Sequence, residues 1–412
     1  MKILVLCTYP IQNPLHGGQL RVRNMVDTYR GAGHEVQVVG VLGSDQYPAE
    51  ENFLEFPGHE ALVSVYPEPF LMEDYAISKL FAESTRWFER LATTISIRPD
   101  VIEVVQPWLF GFCERYVSQT GIRPAIIYSS QNVEYSLKGD IVRSYFGEKR
   151  AGAAKDSIRA LELAAIAGAD AIVCVSQSDA DWIRQVSEKP ILLAPNGVKP
   201  WKTSASGVEA AKSIVGERRF ALYCASGHPP NVTGFFEMFS GGFGSLTPDQ
   251  SLVIAGGAGY AIASDPRVNK SAKLIERILV AGIVSQPCLA GLLDLTHCVV
   301  LPLTQGGGTN LKTAEALWSG KYVIATRVAM RGFEDFIGQN GVFIANDRSD
   351  FKRTLRQVMS LEPLQLSTTD RENRKRVLWD ECLSSLPSFA EKIERLRGID
   401  NSLNGLSVSG EV

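Results

Sequence analysis

The residues Gly306-Gly307-Gly308-Thr309-Asn310-Leu311-Lys312-Thr313-Ala314-Glu315 are spaced to hold a phosphorylated ligand. An apolar run at 298–303 reads as a buried strand, and the three-glycine turn follows it. Thr309 is placed to cap a helix whose apolar positions are Leu311, Ala314, Leu317 and Trp318. A glycine turn between a strand and a helix N-terminus lets backbone N–H groups approach an anion closely, and the helix dipole favours negative charge there. Lys312 either offsets phosphate charge or is a surface lysine one turn into the helix. Glu315 is a carboxylate of the kind that accepts ribose hydroxyls beside a bound nucleotide. The competing reading is a plain βα turn, although three consecutive glycines are more flexible than such a turn needs.

Short apolar strands alternate with amphipathic helices along the whole chain. In the first half the strands are expected at 2–7, 35–42, 101–106, 125–129, 171–176 and 191–194, with helices such as 18–32 and 150–167 between them. Near-continuous Val/Ile/Leu/Ala runs are what a sheet covered on both faces requires. The pattern restarts at 220–225, 252–256, 298–303, 322–326 and 342–345. Two βα series predict an α/β protein with two doubly wound, Rossmann-like parallel sheets. The Pro-, Gly-, Ser- and Lys-containing stretch 195–207 reads as the linker. The expected domains are 1–196 and 197–375, with 376–400 as a C-terminal helix that crosses back to the first. Residues 401–412 are Ser/Gly-rich and expected to fray. Ligands of open parallel sheets bind outside the strands' carboxyl ends, so two such domains are expected to face each other across a central cleft.

The glycine turn with its glutamate resembles the C-terminal signature of the GT-B glycosyltransferases, in particular the large retaining family 4 group. Near the N-terminus, His16-Gly17-Gly18-Gln19-Leu20-Arg21-Val22-Arg23 resembles that family's glycine-glycine loop, and Gly33-His34-Glu35-Val36 the turn after its first helix. Asn196-Gly197-Val198 is similar to its interdomain segment. The matches follow the family's order across nearly the whole chain. The resemblance implies transfer of a sugar from a nucleoside diphosphate sugar to a hydroxyl acceptor with retention. It implies no cofactor and no metal, and a UDP-sugar rather than a GDP-sugar as donor.

The resemblance assigns the donor to Gly17, Gly18, Ser226, Gly227, Val284, Gly306, Gly307, Gly308, Thr309, Asn310, Leu311, Lys312 and Glu315. It assigns the chemistry to Gln106, Asn132 and Glu134. Gln106 stands where many relatives carry a histidine; an amide hydrogen-bonds a hydroxyl but moves no proton at neutral pH. Asn132 and Glu134 resemble the family's Asn-x-Glu element, the alternative being a polar loop that caps the next segment. The commonest family pattern has two glutamates eight positions apart, and counting back from Glu315 reaches Gly307, so the first carboxylate is missing. Relatives with Arg and Lys after the first strand of the second domain contrast with His228 and Asn231 here, and Asn231 is expected to cap the following helix. Of Arg21 and Arg23, at most one is expected to face the cleft; the alternative is solvated surface arginine. Asp179-Ala180-Asp181 matches a metal-binding Asp-x-Asp, but it opens a helix after Ser176, where carboxylates favour the dipole.

Composition narrows the setting. The chain has 412 residues, room for two cores, and a net charge of −3, which does not point to non-specific nucleic-acid binding. The first apolar run goes straight to Thr8-Tyr9-Pro10 and reads as a strand rather than a signal segment. No apolar stretch approaches the ~20 residues that span a bilayer. Seven scattered cysteines without a CxxC pair indicate neither zinc nor a disulfide framework, so a reducing cytoplasm fits. The stripe 70–95, with Phe70, Leu71, Leu80, Phe81, Trp87, Phe88 and Leu91, either packs on its own sheet or lies at the inner face of a membrane. A glycan or lipid-linked acceptor, as in polysaccharide biosynthesis, is then the expected partner. The competing functions are a non-catalytic nucleotide-sugar binder and a GT-B nucleotide-sugar epimerase or hydrolase.

Overall fold

The computed structural model describes residues 1–240, 242, 244–269 and 276–407. It divides into two units, Met1–Pro195 with Leu383–Val412, and Asn196–Cys382.

The first unit is a parallel sheet of β1 (Lys2–Cys7), β2 (Glu35–Val41), β3 (Phe53–Leu54), β4 (Val101–Val105), β5 (Ala125–Ser129), β6 (Ala171–Cys174) and β7 (Ile191–Leu193). Their order is β3-β2-β1-β4-β5-β6-β7. The winding therefore reverses between β1 and β4, which pair Ile3 with Val101 and Val5 with Glu103. Ile3, Leu4, Val5 and Leu6 have no exposed surface, because helices cover both faces. One face packs Leu4, Leu6, Ile102 and Val104 against Ile77, Leu80, Phe81, Phe110 and Phe112. The C-terminal helix Leu386–Ser407 belongs to this unit, buries Leu386, Ala390 and Ile393, and pairs Arg397 with Asp170 at 3.1 Å.

The second unit is a parallel sheet of β8 (Arg219–Cys224), β9 (Gln250–Ala255), β10 (Ile278–Gly282), β11 (Cys298–Leu301), β12 (Tyr322–Ala325) and β13 (Val342–Ile344). Their order is β10-β9-β8-β11-β12-β13, with the reversal between β8 and β11. Alternate residues of each strand enter opposite layers, Leu222, Val299 and Val323 in one and Tyr223, Val300 and Ile324 in the other.

Three expectations change. Strand β10 escapes the sequence reading because it is an edge strand whose burial alternates, with Val280 39% exposed. The linker ends earlier than 207: Ala205–Val215 is a helix, capped by Ser204, whose Oγ accepts from Gly207 N at 3.1 Å. A Cβ on Gly207 would fall 2.2 Å from Pro287 O, so this glycine serves a close helix crossing rather than chain flexibility. At the C-terminus, the last helix runs on to Ser407, past the expected end at 400, and 408–412 lie outside the described residues.

Candidate active site

The carboxyl ends of strands flanking a reversal are where an open parallel sheet accepts a ligand. In the second unit those ends carry Ser226–Gly227 after β8 and the glycine turn after β11. Gly306 and Gly308 have φ of +131° and +58°, angles that L side chains rarely adopt. Gly306 and Gly307 are exposed and Gly308 is buried. Asn310, not Thr309, caps the helix Leu311–Trp318: its backbone is extended and its Oδ1 accepts from Lys312 N at 3.2 Å. The hydroxyl of Thr309 is already engaged, accepting from Asn196 N at 3.2 Å.

Glu315 lies on this helix, half-buried, and its carboxylate accepts no hydrogen bond from a described residue. Burial holds it above the usual carboxylate range, and the nearby Lys312 ammonium draws it back. Its charge acts on Cys224 at the end of β8, which puts the carboxylate beside the reversal.

The loop after β8 is built differently from expectation. His228, not Asn231, is the N-cap of the helix Pro229–Phe239, and it makes no side-chain cap bond. Asn231 Nδ2 instead donates to Ser226 O and Oγ at 3.0 and 3.1 Å, while Tyr223 donates to Asn231 O at 2.9 Å. Pro229 and Pro230 occupy the first turn and bring no N–H groups, so this helix start is a poor anion binder. Burial lowers the His228 imidazole, and the Lys312 charge adds to that shift. Val284 is half-buried in the loop after β10, packed against the core.

In the first unit, β1 leads to His16, which caps the helix Gly17–Gly31 in a reciprocal capping box with Gln19. Gly18 is tightly surrounded: a Cβ there would lie 3.0 Å from Gln131 Oε1 and 3.1 Å from Tyr9 Oη. Across the reversal, β4 ends in Gln106, a non-glycine residue with φ +58°. Its Nε2 donates to Glu134 Oε1 at 2.8 Å, and Asn132 Nδ2 donates to the same oxygen at 3.2 Å. The three residues expected to share the chemistry are thus joined at one carboxylate oxygen.

Glu134 opens the helix Glu134–Phe146, whose first amides have no partner within the helix. Glu162, from the helix Glu148–Gly168, supplies both: its two oxygens accept from Glu134 N at 2.7 Å and Tyr135 N at 2.8 Å. Burial raises the Glu134 carboxyl, while Gln106, Lys138 and Asn132 pull it down. Lys138, one turn along, pairs with Asp74 at 2.5 Å and lies 5.8 Å over the Trp108 ring.

Burial decides the remaining expectations. Arg21 is 1% exposed rather than solvated: its Nη1 donates to Ala194 O at 2.8 Å, and its charge steadies the buried Glu103 carboxyl. Arg23 pairs along its own helix with Asp27 at 3.2 Å. Asp179 sits in the first turn of the helix Gln177–Arg184, and Asp181 pairs with Arg184 at 2.9 Å. In the stripe 70–95, Met72, Ile77, Leu80, Phe81, Phe88 and Leu91 are buried in the first unit, while Phe70 is 57% exposed. No helix among the described residues is long and apolar enough to cross a membrane.

Sequence reasoning missed Arg331 and Glu162. Arg331 Nε donates to Gly308 O at 3.2 Å. Its signal is positional: it follows β12, the strand next to the glycine turn's own. Glu162 is legible only as a carboxylate on an otherwise apolar helix face.

The model of Glycosyltransferase Family 4 matches residues 15–202, and that of Glycosyl transferases group 1 matches residues 236–360. The chain belongs to the GT-B glycosyltransferases. No curated protein sequence matches it. Sucrose-phosphate synthase from Thermosynechococcus elongatus is similar in fold, at 14% identity, over 95% of this chain and 98% of that one, with a TM-score of 0.63. The catalytic domain of starch synthase IV from Arabidopsis thaliana, bound to ADP and acarbose, is similar at 11% identity, over 96% and 99%, with a TM-score of 0.63. Anabaena HepE, in complex with UDP and glucose, is similar at 13% identity, over 98% and 100%, with a TM-score of 0.55.

Proposed function

We propose that the protein transfers a sugar from a nucleoside diphosphate sugar, a UDP-sugar in the first instance, to a hydroxyl acceptor with retention. The observation that carries this reading is Glu315, a half-buried carboxylate that no described residue hydrogen-bonds, beside the glycine turn. Burying a carboxylate without donors is costly, and two ribose hydroxyls supply the donors it lacks. The backbone N–H groups of the glycine turn and the Lys312 ammonium meet the diphosphate. The nucleoside diphosphates held by the similar starch synthase and HepE structures support the same ligand class.

The acceptor is a glycan or a lipid-linked sugar whose hydroxyl is oriented by Gln106, Asn132 and Glu134. In the transfer, the bond from the anomeric carbon to the β-phosphate oxygen breaks. The acceptor oxygen bonds the same face of that carbon, and its proton passes to the departing phosphate oxygen. Gln106 takes no proton, so its part is to hold Glu134 and the hydroxyl in place. No metal ion enters this scheme. An exposed aromatic group, Phe70 with Tyr145 at 6.4 Å and Phe146 at 5.8 Å, supports peripheral contact with a membrane at its cytoplasmic face.

The test is thermal stabilisation by UDP, GDP, ADP and their sugars, since a ligand bound to the folded state raises stability by mass action. One nucleoside diphosphate stabilises the wild type, and Glu315→Ala weakens that nucleotide about ten- to a hundredfold. Stabilisation by none of them removes the reading.

A further inference from the structure

A diphosphate needs positive charge close by, and the loop after β8 provides none. His228 is lowered by burial, Asn231 is spent on Ser226, and Pro229 and Pro230 remove two amides. The guanidinium that contacts the glycine turn comes instead from the segment after β12. Arg331 Nε donates to Gly308 O at 3.2 Å, and a Cβ on Gly306 would fall 3.1 Å from Arg331 Nη2. One side chain therefore bonds the turn at Gly308 and lies beside it at Gly306.

The segment that carries Arg331 is firmly held. Thr326 donates its hydroxyl to Leu303 O, on the strand side of the same turn, and accepts from Ala329 N at 3.1 Å. Thr313, on the helix after the turn, donates to Ala329 O at 2.6 Å. Ala329 and Met330 are fully buried and Phe333 nearly so. The backbone leading to Arg331 is thus tied to both flanks of the glycine turn. The backbone that presents the guanidinium is therefore ordered in folding.

We propose that Arg331 is the donor-phosphate residue of this protein, binding the β-phosphate of the nucleoside diphosphate from the β12 side of the glycine turn. This inference rests on the nucleotide-sugar reading above. A guanidinium offers five coplanar donors, and a phosphate takes two of them side by side. The bond from Nε to Gly308 O orients that plane against the turn. Glycine at 306 is favoured by its φ, and a Cβ there would press on the guanidinium. Lys312, on the helix, supplies the second cation.

The experiment compares a nucleoside diphosphate with its monophosphate. Binding of UDP and UMP is measured by calorimetry for the wild type, Arg331→Ala and Arg331→Lys, with apo melting temperatures as the check on folding. Arg331→Ala is expected to weaken UDP about ten- to a hundredfold and UMP less than about threefold. Arg331→Lys is expected to fall between, because it keeps the charge and loses the fork. Unchanged UDP affinity in Arg331→Ala overturns the proposal and leaves the nucleotide reading standing. So does an equal loss for UDP and UMP, which would make Arg331 a structural support of the turn. Wild-type protein that binds neither UMP nor UDP removes the UDP reading and this proposal with it.

Discussion

Gln106 Nε2 lies 2.8 Å from Glu134 Oε1, and Gln106 reaches it from a left-handed backbone conformation at φ +58°. A non-glycine residue in that region carries strain on the order of 1 kcal/mol, retained where the surroundings fix it. Gln106→Gly is therefore expected to leave stability within about 1 kcal/mol of wild type, strain relief offsetting the lost hydrogen bond. Transfer is expected to fall about ten- to a hundredfold, because Glu134 loses one of its two amide donors. Melting and turnover on one preparation check both halves; full activity in the variant would detach Gln106 from the chemistry.

Glu162 is expected to make the first unit sensitive to pH. Burial raises its carboxyl from an ordinary 4.5 to about 8 against the pull of two backbone N–H bonds. A carboxyl raised on folding contributes stability that is fully present below about 4.5 and is lost as pH rises through about 8. Glu103 and Glu134 are raised too, and act in the same direction. Unfolding free energy should decline between about pH 4.5 and 8, by at most about 1.4 kcal/mol per pH unit for each group. Glu162→Gln should flatten that slope without removing it. Urea midpoints at several pH values test this, and an unchanged slope in the variant would exclude Glu162 as the source.

Gly18 is crowded by Gln131 and Tyr9. A leucine there must displace both from the β1 and β5 ends, next to Asn132. Gly18→Leu is expected to block transfer while nucleotide affinity stays within about threefold of wild type, since the nucleotide contacts proposed above are in the second unit. Parallel loss of nucleotide binding would assign Gly18 to the nucleotide as well.

Chelation and stereochemistry test the transfer scheme. With Lys312, Arg331 and backbone amides meeting the phosphate charge, turnover should survive EDTA. The product made from an α-linked donor should show an α linkage by NMR. Activity abolished by EDTA and restored by manganese would replace the phosphate account. A β linkage would make the enzyme inverting, with Glu134 as general base.

The sequence by itself determined the two parallel sheets, because near-continuous apolar strands between amphipathic helices leave few other ways to bury both faces. It also determined that Gly306–Glu315 follows a strand, since a glycine turn and a helix period are local signals. Tertiary structure decided what local patterns leave open. Thr309 and Asn310 are both good caps by type, and the choice fell to Asn310 once Asn196 engaged the Thr309 hydroxyl. Arg21 reads as a surface arginine until helix packing buries it against Ala194 and Glu103. Gln106, Asn132 and Glu134 lie on two different strand ends and meet only because β4 and β5 are neighbours in register. Arg331 was invisible for the same reason. Its partner Gly308 is 23 residues away in the chain, and only the adjacency of β11 and β12 brings the two together.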